Sequence, residues 1–118
     1  MKVLFVGDKP SKLNSNPEVA FIGTPSHKNL LKWVDEIGII KHCAMINSEA
    51  LDVPTIVKYH VARYEIVALG NKASEVLTRM GLDHFTLPHP SPKNRKLNNK
   101  EFIADELKKC YIWLKVRE

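Results

Sequence analysis

The chain has 118 residues, 44% of them hydrophobic, and a formal net charge of +5. That length fits a single domain over residues 1–118 with one modest core, and that apolar content excludes a disordered chain. No apolar run approaches the ~20 residues that span a bilayer, and two distant cysteines without a CxxC pair exclude a zinc ribbon.

KVLFV (2–6) is a short β-branched apolar run ended by Gly7 and Pro10, which predicts a buried strand. The run is too short for a signal-peptide core, so a soluble cytoplasmic protein is expected. Residues 7–25 are rich in Gly, Pro, Ser and Asn and read as a long loop, a feature that in a small domain usually carries function. From Ser26, Leu30, Leu31, Trp33, Val34 and Ile37 fall at helical spacing. Ser26 would be the N-cap and Gly38 the stop. CAMIN (43–47) predicts a second strand. A helix from Pro54 to about Arg63 follows, and then a third strand, YEIVAL (64–69), closed by Gly70. NKASEVLTRM (71–80) is a short amphipathic helix stopped by Gly81, and HFTL (84–87) a fourth strand. Asn98 or Asn99 would cap a C-terminal helix carrying Phe102, Ile103, Leu107 and Trp113.

Strictly alternating strands and helices imply an α/β fold: a three-layer α/β/α sandwich on a four-stranded, mainly parallel central sheet. In such sheets ligands bind outside the carboxyl ends of the strands. Four segments should gather there: GDKPSKLN, NSEALD, GNKA and PHPSPKNRK. The last is the most unusual. Between residues 88 and 100 the chain carries Lys93, Arg95, Lys96 and Lys100 and no acid, which is four of the five net charges. Its prolines deny it helix or central strand, and its cations favour an anionic partner.

The side chains available at this edge limit the chemistry. There is no GxxxxGK[ST] phosphate loop and no GxSxG nucleophile elbow, so nucleotide-triphosphate hydrolysis and serine hydrolysis have little support. His60, His84 and His89 lack metal-ligand spacing, so no metal and no cofactor is expected. His27, His42, His60 and His84 read as surface or core residues, Trp33 and Trp113 as core anchors, and Cys43 and Cys110 as buried free thiols. A carboxylate (Asp8), an amide (Asn47), a histidine (His89) and a stiff basic loop suit cleavage of an N-glycosidic bond in a nucleic acid. The carboxylate orients water or stabilises a cationic sugar, the histidine donates to a departing base, the amide reads a base edge and the cations hold phosphates.

Four stretches resemble the uracil-DNA glycosylase superfamily, in its order. GDKPS (7–11) resembles its Gly-x-x-Pro water-activating loop, and HPSPKNR (89–95) its His-Pro-Ser loop. AFIGTPSHKNLLKWVDEIGI (20–39) is similar to the Pro-Phe-Val-Gly stretch and helix of the thermostable iron–sulphur branch. IVALGNKASEVL (66–77) resembles its Leu-Gly-x-x-Ala turn. The resemblance implies excision of uracil or a related modified pyrimidine from DNA. Asp8 and His89 would be catalytic. Phe21 would stack on the flipped base, Asn47 would read its edge, and Ser11 would line the substrate site. Ser91, Lys93, Asn94, Arg95 and Lys96 would meet the DNA. Two cysteines cannot supply the four thiolates of an iron–sulphur cluster, so none is expected. Asp8 is a methylene shorter than the glutamate usual in that branch, and Lys9 beside it would compete for contact with the substrate. A catalytically degenerate relative that binds DNA or a partner protein is therefore the alternative reading. A monomer is expected, and the short chain suggests a phage or mobile-element version.

Overall fold

The computed structural model describes residues 1–7, 25–91 and 93–118. Within them the chain forms β1 (Lys2–Gly7), α1 (Pro25–Ile37), β2 (His42–Asn47), α2 (Val53–Val61), β3 (Glu65–Leu69), α3 (Asn71–Arg79), β4 (Phe85–Leu87) and α4 (Lys100–Arg117). Short 3₁₀ turns lie at Ser48–Ala50 and Arg95–Asn98.

The helix ends follow local chemistry. Gly38, at φ +80°, stops α1 in a backbone conformation that side chains disfavour, and its N–H donates to Val34 O at 3.1 Å. Asp52 caps α2 by accepting from Thr55 N at 2.9 Å, with Pro54 in the first turn. Of the two asparagines expected to cap α4, Asn99 does so, accepting from Phe102 N at 3.0 Å. Ser26 is not a cap: α1 begins at Pro25, so Ser26 lies inside the first turn.

All strand pairs are parallel, in the order β2-β1-β3-β4, with Gly7 opposite Asn47 and Leu69 opposite Leu87. Because successive side chains of a strand point to opposite faces, β1 feeds two cores. Val3 and Phe5 pack with Leu30, Trp33 and Ile37 of α1 and with Leu107, Cys110 and Leu114 of α4. Leu4 and Val6 pack on the other face with Ala73 and Leu77 of α3, with Tyr59 of α2 at the margin. Right-handed crossovers give this division. The path β1 to β2 runs one way across the sheet, and β2 to β3 to β4 runs back, so α2 and α3 fall on the face opposite α1. The expected three-layer sandwich is what forms. The strand order reverses between β1 and β3, the switch point at which open α/β sheets form a ligand crevice, and Gly7 and Gly70 stand at the strand ends there.

One cysteine differs from expectation. Cys110 is buried in the core, where burial pushes its thiol up to about 12, so it stays protonated and inert. Cys43 is exposed, because it sits near the start of β2, an outer strand whose first two residues face solvent.

Candidate active site and nucleic-acid interface

Asn47 ends β2 at the carboxyl edge, and its side chain is wholly buried. Its Oδ1 accepts from Glu49 N at 3.0 Å, which starts the following 3₁₀ turn and fixes the orientation of the amide. Its Nδ2 is buried and has no hydrogen-bond partner among the described residues. A buried donor left unmade costs about 1–3 kcal/mol, so such a group calls for an acceptor, which a water or a ligand can supply.

His89 stands on the other flank of the crevice, two residues beyond β4. Ser91 N donates to its Nδ1 at 3.1 Å, so the proton of the neutral ring sits on Nε2. The ring lies against Gly70, at the end of β3. A Cβ at position 70 would come within 3.4 Å of the His89 Cβ and 3.7 Å of its Cδ2. Gly70 also has φ +94°, where a side chain is strained, and its N–H donates to Leu87 O at 2.9 Å. Gly70→Ala should therefore cost about 1–2 kcal/mol of stability and shift the imidazole. A thermal melt read beside any activity of the variant checks both.

The loop that carries His89 is braced from within and from behind. Asn94 Nδ2 donates to His89 O at 2.9 Å, and its Oδ1 accepts from Lys96 N at 3.1 Å. Ser91 Oγ accepts from Lys93 N at 3.3 Å, and Ser91 O accepts from Asn94 N at 2.9 Å. Pro90 is buried, and its carbonyl accepts from Asn29 Nδ2 of α1 at 2.8 Å. Lys93, Arg95 and Lys96 are thereby held outward, all three exposed. Of the residues expected to meet DNA, Asn94 uses both ends of its amide inside the loop, and Ser91 uses its hydroxyl and backbone there.

No local signal in the sequence marks Asn29, since its partner lies 61 positions away. Asn29→Ala should cost about 1–2 kcal/mol by orphaning a buried carbonyl. It should also speed amide exchange at Ser91 and Asn94, which hydrogen exchange would read.

A cleft of about 340 Å³ lies behind the loop, where His89 and Asn94 meet Thr86, Phe102 and Glu106. In front, Asn47 ends β2, and Gly70, against which the His89 ring lies, follows β3 two strand spacings away, roughly 10 Å, with Gly7 of β1 between them. The expected site residues Asp8, Ser11 and Phe21 lie outside the described residues.

The family model of the uracil DNA glycosylase superfamily matches residues 1–115. The chain belongs to that superfamily. No curated protein and no solved structure matches it.

Membership points to a glycosylase-type function and to DNA, on which the superfamily acts. It also raises the cluster of the iron–sulphur branch, and the residues present do not fit one. Four thiolates are needed, whereas Cys43 lies exposed on an outer strand and Cys110 is sealed in the core on the buried face of α4. Among the described residues no helix is long and apolar enough to cross a membrane.

Proposed function

We propose that this chain hydrolyses the N-glycosidic bond of uracil, or of a related modified pyrimidine, in DNA and leaves an abasic site. The observation that carries this reading is Asn47: a buried amide at the carboxyl edge, its oxygen fixed by Glu49 N and its Nδ2 without a partner among the described residues. A pyrimidine carbonyl is an acceptor that fits such a donor. An isolated buried Nδ2 is otherwise a cost without return.

The reaction runs as follows. The target nucleotide leaves the stack and its base enters the crevice, flat against Phe21 and edge-on to Asn47. The bond between C1′ and the base nitrogen breaks with its electron pair going to the base, which leaves as an anion with charge on its ring carbonyl. His89 donates from Nε2–H to that oxygen, a hydrogen bond that strengthens as the charge develops. Asp8 stabilises the cationic sugar and orients a water whose oxygen bonds to C1′. The water's proton neutralises the departing base through Asp8 and solvent. Lys93, Arg95 and Lys96 hold the neighbouring phosphates.

The test is incubation with single- and double-stranded oligonucleotides carrying one uracil, followed by alkali to cleave abasic sites. Strand breaks at the uracil that depend on Asp8 and His89 support the reading. DNA binding without breaks would favour a degenerate binder or another modified base. Lys9 gives that second reading its basis, since a cation beside Asp8 competes with the sugar for the carboxylate.

A further inference from the structure

The loop 88–96 is only part of the cationic surface. The bond from Asn29 to Pro90 seats α1 against the loop, and α1 carries Lys28 and Lys32, one turn apart on one stripe. Beyond the loop, α4 opens with Lys100. Lys32 and Lys100 face each other across a groove of about 540 Å³, whose walls include Asn29 and Asn98. Lys28, Lys32, Lys93, Arg95, Lys96 and Lys100 are all exposed, and none forms an ion pair among the described residues. Glu36, one turn beyond Lys32, also lines that groove and is exposed, and Asp35 and Glu101 lie at its borders. These six cations exceed the whole net charge of +5. They come from two stretches, residues 25–34 and 88–100, neither of which contains an acid.

Six cations without an ion-pair partner among the described residues, brought together from three elements, create a field that attracts a polyanion. They form a track over the loop and along the α1–α4 groove, where Glu36 is the acid among the lining residues. We propose that the DNA-holding surface follows this track, with Lys28, Lys32 and Lys100 taking phosphates that flank the excised nucleotide. The inference rests on the proposed action on DNA for its ligand, but it does not need excision to occur.

The test is the salt dependence of binding to uracil-free duplex DNA, measured by fluorescence anisotropy for the parent chain and for K28Q/K32Q/K100Q. All three positions are exposed, and glutamine has nearly the helix propensity of lysine, so the fold should persist; circular dichroism checks it. Each phosphate contact adds about 0.9 to the slope of log affinity against log salt, so the triple variant should lose about two to three units of slope. K41Q/K58Q/R79Q removes the same charge from exposed positions elsewhere and should keep the parent slope. Equal slopes for the two triple variants would overturn the track. So would a parent chain that binds no DNA. Uracil excision is scored separately: a changed slope without excision keeps the track and sinks the glycosylase reading, and excision with equal slopes does the reverse.

Discussion

His89→Ala should lower uracil excision by about 100- to 1,000-fold, the effect of removing one donor aimed at a developing oxyanion. The expectation follows from how the ring is held. Ser91 N occupies Nδ1, so the neutral imidazole has its proton on Nε2, the only ring position from which it can donate. Because the proton position is set before substrate arrives, little reorganisation is needed as the base takes up charge. Folding should be almost unaffected. The ring is half-buried and rests on Gly70 rather than in either core, so truncation should cost about 1 kcal/mol or less. DNA affinity should also survive, because the bonds from Asn94 and to Ser91 Oγ and Ser91 O that hold Lys93, Arg95 and Lys96 do not involve the ring. Single-turnover excision, thermal melting and anisotropy separate the three quantities. Loss of stability or of binding in step with activity would make His89 a packing residue.

Much of the architecture was legible in the sequence because it rests on short-range signals. KVLFV and EIVAL are β-branched runs bounded by glycine. Gly38 supplies the positive φ that ends α1, and Asp52 and Asn99 are side chains whose capping reach is local. The positions of Asn47 and His89 were legible for a similar reason: the ends of parallel strands place them at the carboxyl edge of the sheet whatever their contacts. What pattern could not give were interactions across the chain. Asn29 reads as an ordinary helix-surface amide until it meets Pro90. Gly70 reads as a strand terminator until His89 is seen lying against it. Asn94 looks like a polar DNA contact until both ends of its amide are found inside the loop. Cys43 was expected in the core because its neighbours are apolar, but composition cannot tell an outer strand's exposed start from its buried end.

Asn47 offers a test in which stability and activity should part company. In Asn47→Leu a side chain of similar branching replaces the amide. The variant loses the bond from Glu49 N, but Glu49 is exposed, so water can take that donor. It also removes the unpaired buried Nδ2, whose desolvation costs about 1–3 kcal/mol in the ligand-free protein. The two changes oppose each other, so the folding free energy should stay within about 1 kcal/mol of the parent or rise. Excision should fall by about 100-fold or more, because a site built to hydrogen-bond one group of its substrate discriminates strongly when that bond cannot form. Affinity for undamaged DNA should not change, since Asn47 is wholly buried and reaches no phosphate. A structural amide would give the opposite pattern: a lower denaturation midpoint with excision retained. The two outcomes distinguish a donor held in reserve for a base from one that merely shapes the turn after β2. The first accounts for a buried Nδ2 without a partner among the described residues at the carboxyl edge of the sheet.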